Sequence, residues 1–215
     1  MDQPKKSLEE ILAENNLKVF RKMQYDSIIN FVFENIKNRS IPSKFYYLFS
    51  ILGLTVLLGY SIFLFSGNVI QPKDYFIWFV AGIFSGSILI IPFHELFHAV
   101  AYKFTGAPKI HFGMDLKQMI FYVAADRFII GAKKFYFVAL APFLIINLIT
   151  IAYIISDPSP EIIVGILTFI LLHNLMCIGD FAMLSFFHKH RKKELCTFDI
   201  VEDKESYICE PLQKK

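Results

Sequence analysis

Long apolar runs dominate the hydropathy pattern of the chain. Four segments with few charged side chains each approach or exceed the roughly 20 residues that a helix needs to cross about 30 Å of hydrocarbon. They are residues 45–65, 75–101, 135–155 and 162–187. Lipid offers no hydrogen-bond partner to a backbone amide, and the alternating segments of about ten residues that build a membrane β-barrel are absent. The pattern therefore predicts four transmembrane helices.

The polar segment that precedes the first span carries apolar residues at helical spacing. They recur in the stretches "SLEEILAENNLKVF" and "YDSIINFVFENIKNR". The first stretch opens with Ser7 and Glu10 in the order of a capping box. We predict amphipathic helices that lie on the bilayer surface or against the bundle, and a partly ordered solvated arm is the alternative.

Two polar segments have the pattern of β-structure. In "GAPKIHFGMDLKQMIFYVAAD" the glycines and the proline interrupt helical periodicity, and the runs "KIHF" and "MIFYV" favour strands, so residues 108–124 are predicted to form a hairpin near the membrane surface. The tail carries the runs "TFDIV" and "SYIC" around a charged turn, which indicates a second hairpin.

The predicted fold class is therefore an all-α membrane protein with about four transmembrane helices, a small cytoplasmic-side β-hairpin element and an N-terminal amphipathic helical region. We predict a cytoplasmic N-terminal region over residues 1–44, a membrane domain over 45–188 and a cytoplasmic tail over 189–215. The pattern gives no indication of nucleic-acid binding or of an oligomeric state, so the expected partners are the lipid bilayer and a substrate.

Composition and charge placement agree with this assignment. Hydrophobic residues make up 55% of the 215 positions, well above the average for soluble domains. Lysine and arginine are concentrated before the first span, between the second and third, and after the fourth, whereas the other two loops hold a single lysine between them. By the positive-inside rule both termini and the central loop are cytoplasmic. The expected location is the cytoplasmic membrane of a bacterium.

The second apolar run ends in "PFHELFH", where three ionisable residues follow a segment suited to lipid. His94 and His98 are four residues apart, so on a helix their nitrogens can bind one metal ion. Glu95 lies on the flank where a water at the metal would sit and can accept its proton. Ionisable groups inside a span are costly unless paired or bound to metal, so the pattern predicts a zinc site. The alternatives are a buried polar cluster without metal and a position at the membrane interface, where charge costs little.

A catalytic zinc site usually has three protein ligands, so a third donor is needed. His94 and His98 lie nine and five residues before Lys103, and Asp180 lies nine before Lys189, which places all three roughly 7 to 14 Å from the inner surface. Asp180 is thus the predicted third ligand. The alternatives are His173, about 10 Å deeper on the same helix face, His111, and the absence of a third protein ligand.

The predicted spans also contain an asparagine, a pair of glycines and a cysteine that can be interpreted. Asn174 lies near Asp180 and is predicted either to hydrogen-bond a substrate carbonyl or ligand, or to form an interhelical hydrogen bond. Gly82 and Gly86 form a small-xxx-small pair that indicates close helix packing. Cys177 has no paired base and is interpreted as a buried packing residue.

The motif "HELFHAVAYKFTGAPKIHFG", followed by "MIFYVAAD", "APFLIIN" and "GD", resembles the putative zincin peptidase family of small bacterial membrane proteins. The resemblance covers about residues 75–190, and that family is distantly similar to the site-2 proteases, which cleave within the bilayer. It implies zinc bound by His94, His98 and Asp180. It also implies that Glu95 is the general base and that the 108–124 hairpin can pair with a substrate strand. In the site-2 proteases the third ligand precedes glycine, whereas Phe181 follows Asp180 here.

The sequence thus predicts an intramembrane zinc metalloprotease that hydrolyses peptide bonds of membrane-protein substrates. The alternative is a non-catalytic metal-binding membrane protein that acts as a sensor or a partner-binding scaffold. The two hypotheses differ in whether Glu95 is needed for function.

Overall fold

The structure is a computed structural model that describes residues 6–115 and 120–212. The helices are α1 Leu8–Glu14, α2 Ile28–Ile36, α3 Ile41–Ser66, α4 Pro72–Phe84, α5 Ile91–Thr105, α6 Ala132–Ile155, α7 Pro160–Met176 and α8 Ile178–Lys189. The strands are β1 Leu17–Gln24, β2 His111–Asp115, β3 Ile120–Ala124, β4 Ile130–Gly131, β5 Cys196–Ile200 and β6 Glu205–Pro211. The molecule is mostly helical, as predicted.

The apolar runs of the sequence form the long helices. Within the described residues, α3 and α6 are each long and apolar enough to cross a membrane, with 26 and 24 residues. The second and fourth predicted spans are bent pairs: Pro72–Leu89, which is α4 with the five residues that follow it, meets α5 at 42°, and α7 meets α8 at 44°. The described part of the chain thus holds two to four candidate spans. Their number and their orientation in the bilayer remain predictions.

A π-helical turn, Ser85–Leu89, separates α4 from α5. Ser85 and Ser87 in this turn donate their hydroxyls to backbone carbonyls one turn earlier, at 2.7 and 2.6 Å. Pro92 follows in the first turn of α5, where its missing N–H is tolerated. The bend lies between Leu89 and Ile91, where the π-helical turn ends and where Pro92 has no N–H to continue the ladder of helical hydrogen bonds.

The predicted small-residue contact packs α4 and the π-helical turn against α7. A Cβ atom added to Gly82 would lie 2.4 Å from the carbonyl oxygen of Gly165, and one added to Gly86 would lie 2.6 Å from that of Phe169. Any larger residue would therefore separate the helices. The interpretation of the pair as a packing contact is confirmed.

The predicted central hairpin is present as β2 and β3, which pair antiparallel from His111 with Ala124 to Asp115 with Ile120. Residues 116–119 of the predicted hairpin lie outside the described residues. A Cβ atom on Gly113 would meet the ring of Tyr122 at 2.3 Å, so the glycine allows this tyrosine to lie across the hairpin.

The predicted tail hairpin is also present, as β5 and β6, but it belongs to a larger antiparallel sheet with the order β1-β6-β5-β4. The predicted first N-terminal helix is wrong in its second half: α1 has its capping box but ends at Glu14, and Leu17 begins strand β1. The chain reverses at Asn16, whose φ is 51°, and β1 then pairs with β6 from Leu17 opposite Pro211. Tertiary pairing outweighs the local helical pattern here.

The N-terminal helix α2 packs against the bundle. The ring of Phe31 lies 5.3 Å from that of Phe186 in α8, centroid to centroid, and Arg21 in β1 forms an ion pair with Glu34 at 2.7 Å. The N-terminal segment is therefore part of the folded structure.

The two faces of the four-stranded sheet differ in polarity, because side chains alternate along each strand. One face packs on α1 and contains Phe198, Tyr207 and Cys209 with the buried Ile11. The other face points toward the membrane helices and carries polar side chains, including Thr197 and Ser206. This polar face forms a wall of the main cavity, which is described below.

Candidate metal centre

Helix α5 brings the three ionisable residues of the "HELFH" motif to one region. His94 and His98 are one turn apart, their Nε2 atoms are 3.2 Å apart and their ring planes are nearly perpendicular. Glu95 is the next residue along the same helix and lines the same cavity. The helical spacing deduced from the sequence therefore corresponds to a real convergence of the side chains.

Asp180 enters the site from the first turn of α8. Its Oδ2 lies 3.3 Å from Nε2 of His94, and its Oδ1 lies 3.2 Å from Nε2 of His98. One ligand atom from each of these three residues lies within 4.8 Å of the others. We call His94, His98 and Asp180 the candidate triad. Its role as a ligand set remains a prediction.

Hydrogen bonds to the Nδ1 atoms orient both imidazoles. Nδ1 of His98 donates to the carbonyl oxygen of Val138 in α6 at 3.0 Å, so a neutral His98 presents a lone pair at Nε2. Nδ1 of His94 lies 3.1 Å from Nε2 of His173. When Nδ1 of His94 donates to His173, Nε2 of His94 also presents a lone pair. Such outer partners commonly fix metal-binding histidines.

The donor set fits zinc. Two imidazole nitrogens and a carboxylate are typical zinc ligands, and donors about 2.0 to 2.2 Å from a tetrahedral ion are separated by roughly 3.3 to 3.6 Å. The separations in the triad are 3.2 to 3.3 Å. Two nitrogen lone pairs this close would repel each other without a cation between them. The arrangement is consistent with a divalent ion.

His173 is closer to the site than its position along the helix predicts. The depth estimate placed it about 10 Å beyond Asp180, yet it contacts His94, because the chain bends between α7 and α8 and because His94 directs Nδ1 toward α7. Cys177 Sγ lies 3.7 Å from Nε2 of His173. His94, His173 and Cys177 form a second, more buried group that could hold a metal ion.

Glu95 lies beside the β2–β3 hairpin. The backbone N–H of Val123 in β3 interacts with its carboxylate. The contact holds the acid at the wall of the main cavity next to the triad, which is the position required of a base that acts on a water there.

The main cavity has a volume of about 540 Å³ and extends from the candidate triad to the sheet. Its walls are formed by α2, α5, β3, α8 and the polar face of the four-stranded sheet. The size is within the usual range for ligand sites. It can hold several residues of an extended peptide.

The structure places the two remaining candidate residues away from the triad. Asn174 and Asn147 of α6 form reciprocal amide hydrogen bonds at 2.8 and 3.3 Å. Asn174 thus makes the interhelical contact that was one of its two interpretations, and a role in substrate binding remains a prediction. His111 is exposed in β2 and belongs to neither metal-binding group found among the described residues.

Sequence reasoning missed the carbonyl of Val138 and the contact between His94 and His173. Nothing in the local sequence signals a backbone carbonyl as an imidazole partner. The signal for His173 was its place on the same helix face as Asp180, seven residues away.

Comparison with known proteins agrees with the geometry. Residues 87–195 match the family described as "putative zincin peptidase", and the matched region includes the whole candidate triad, Glu95 and the hairpin. No curated protein and no solved structure matches the chain. The matched region is slightly more than half of the sequence. The chain therefore belongs to the putative zincin peptidase family.

Proposed function

We propose that the protein is an intramembrane zinc metalloprotease of bacterial membranes that cleaves membrane-protein substrates. Membership of the zincin peptidase family supports a metallopeptidase and implies zinc. The observation that carries the finer proposal is the convergence of His94, His98 and Asp180 from two bent membrane-helix pairs beside a cavity.

Each residue of the site has a distinct role in this proposal. His94, His98 and Asp180 would hold the metal, which supplies Lewis acidity toward water and toward a peptide carbonyl. Glu95 accepts a proton from the attacking water and passes it to the leaving amine. The apolar parts of the cavity exclude bulk water, which strengthens electrostatic interactions inside it.

Strand β3 offers a way to hold the substrate backbone. Phe121–Ala124 lie along the wall of the main cavity, and β3 pairs only with β2 in the described part of the chain. An extended substrate segment could pair with the other edge of β3, beside Glu95. Peptide-bond cleavage needs such an extended segment, because a helix hides its carbonyls in its own hydrogen bonds.

Metal analysis and a cleavage assay on the purified protein test the proposal separately. We expect about one zinc ion per chain, lost in His94→Ala, His98→Ala and Asp180→Ala. We expect Glu95→Gln to keep the zinc and to lower cleavage of a membrane-protein substrate by a factor of 100 or more, because the general base is gone. A Glu95→Gln protein that still cleaves at the normal rate would exclude the proposed mechanism.

The second group favours a different function. His94, His173 and Cys177 combine nitrogen and sulfur donors, and His173 and Cys177 are fully buried. A closed set of this kind suits a structural metal more than a catalytic one. If this group holds the metal, the protein is a non-catalytic metal-binding scaffold, zinc is lost in Cys177→Ala, and His98→Ala retains it.

A further inference from the structure

An acidic residue, Asp199, lies on the cavity face of the four-stranded sheet. Thr197 and Asp199 are two residues apart in β5, so they share a face, and Ser206 is the partner of Asp199 in β6. All three line the main cavity. Tyr102 of α5 lines the same cavity.

Asp199 has no cationic partner among the described residues, although a cation is close in space. Arg127 donates its backbone N–H to the carbonyl oxygen of Asp199 at 2.7 Å, but its guanidinium binds Asp126 at 2.6 Å and Glu202 at 3.3 Å. It also donates to the carbonyl oxygen of Lys6. The positive charge of Arg127 is thus already matched by other acids.

The hydroxyl of Tyr25 is a second buried polar group in the same place. Tyr25 is 7% exposed and lines the cavity, and its hydroxyl has no hydrogen-bond partner of normal length among the described residues. Its ring packs edge-on against Tyr122, 4.7 Å between centroids, which holds it in position near Asp199. Buried polar atoms without a partner of good geometry are rare in folded proteins, and a bound water, ion or ligand group is one explanation for them.

The surroundings of Asp199 affect its charge. Burial raises the pKa of Asp199 to about 6, and Asp126 adds to the rise, whereas Ser206 and Tyr25 lower it. At neutral pH the carboxyl group is therefore mostly ionised without a counterion. Burying an unpaired charge is costly, so a bound cation would relieve this cost.

We propose that Asp199, with Tyr25 and Ser206, forms a subsite of the main cavity that binds a lysine or arginine side chain of the substrate. This inference rests on the proposed peptidase function and names a property of its substrates. The carboxylate would pair with the cation, and the two hydroxyls can accept hydrogen bonds from it. Tyr122 and Tyr102 would cover the aliphatic part of the side chain.

The predicted orientation of the protein agrees with such a substrate. The sheet lies on the side of the molecule to which the positive-inside rule assigns the cytoplasm. Membrane segments carry their lysine and arginine residues on that same side. A segment that enters the cavity near the triad would then bring its basic flank toward the sheet.

Peptide binding to the Glu95→Gln protein tests the subsite without requiring catalysis. The probes are two fluorescein-labelled apolar peptides that differ only in one lysine replaced by glutamine, with anisotropy as the readout. We expect the lysine peptide to bind about tenfold more tightly, as for one partly buried ion pair. Adding Asp199→Asn should abolish this preference, and Asp199→Glu should keep most of it.

Asp203→Asn is the matched control, because Asp203 is exposed on the same β5–β6 connection and its loss should leave the preference unchanged. Equal affinity of the two peptides for the Glu95→Gln protein overturns the subsite, even if Asp199→Asn fails to fold. A lysine preference that persists in Asp199→Asn overturns it too. Cleavage that depends on Glu95 but not on lysine would leave the peptidase intact, whereas a lysine preference without any cleavage would reject the peptidase alone.

Discussion

His94 and His173 are joined by a contact of 3.1 Å between Nδ1 of the first and Nε2 of the second. The contact links α5, which carries two members of the candidate triad, to α7. The second ring nitrogen of a metal-binding histidine usually donates to a carboxylate or a backbone carbonyl. In this protein the buried His173 is the partner of that nitrogen in His94. The orientation of His94 depends on the helix packing that holds His173.

Replacing His173 should weaken metal binding without eliminating it. In His173→Ala, Nδ1 of His94 loses its partner, and we expect zinc affinity to fall by about 10- to 100-fold. Competition with a chelator of known affinity measures the change. Loss of zinc even at saturating metal would instead make His173 a ligand.

Cys177→Ser is the control for this experiment, since Cys177 contacts His173 and is not a member of the candidate triad. It removes the thiol and preserves the volume. We expect its zinc affinity to stay within about twofold of the original, which is below 0.5 kcal/mol. A large loss would favour the second metal-binding group.

Substitutions of Asn147 and Asn174 should have non-additive effects on stability. Each is the hydrogen-bond partner of the other, so Asn147→Ala and Asn174→Ala should each destabilise the protein, and the double variant should cost less than their sum. We expect a coupling free energy of about 0.6 kcal/mol, typical of such bonds in membranes, measured by unfolding in mixed micelles. Loss of cleavage in Asn174→Ala alone, at the same stability as Asn147→Ala, would support the substrate-binding interpretation.

The contact at Gly82 should tolerate no added methyl group. In Gly82→Ala the new Cβ would lie 2.4 Å from a backbone oxygen of α7, so α4 and α7 must separate, and we expect a loss of about 1 to 3 kcal/mol in the free energy of unfolding. Gly59→Ala in α3 is the control, because nothing lies within 4 Å of its added Cβ. Thermal unfolding in detergent compares the two, and equal midpoints would contradict the close packing.

Asp199 should make stability depend on pH. Its pKa rises from an ordinary value of 3.8 to about 6 on folding, so the folded state holds the proton more tightly than the unfolded state. The free energy of unfolding is therefore highest, as far as Asp199 is concerned, below about pH 4. It falls by roughly 1 to 3 kcal/mol as the pH rises from there to about 6. Asp199→Asn should remove this loss and be more stable than the original chain at pH 7.

Measuring the free energy of unfolding of the original chain and of Asp199→Asn at pH 4 and pH 7 checks the direction of this effect. The difference in stability between the two proteins should vanish at pH 4. The difference between the original chain and Asp203→Asn should not change with pH. A less stable Asp199→Asn at pH 7 would mean that the acid supports the fold. The expected result, a more stable protein that binds lysine peptides less well, is the usual trade-off of a functional site.

The sequence predicts those features that depend on local pattern. The apolar runs predict the long helices, the spacing of His94 and His98 predicts their shared face, and the β-favouring runs predict both hairpins. Each of these needs only neighbouring residues, because helical and strand periodicity are local properties. The rise per residue of a helix predicts that Asp180 lies at about the same level of the bundle as His94 and His98.

Other features depend on contacts between distant parts of the chain. The segment after Asn16 has a helical apolar pattern, yet it forms a strand because β6 supplies its hydrogen-bond partners. The bends at the two broken spans bring His173 against His94, and a depth estimate from straight helices cannot include them. The acid of β5 could not be assigned to the cavity before the sheet order was known.

The pairing of β1 with β6 joins residues from opposite ends of the described chain. During synthesis β1 leaves the ribosome early and must wait for β6, since non-local strands cannot pair until both are present. The helices that carry His94 and Asp180 are made before the strands that hold Thr197 and Ser206. The nascent protein would then contain the candidate triad before the wall of the main cavity, so we expect the cavity to be complete only after β6 has been made.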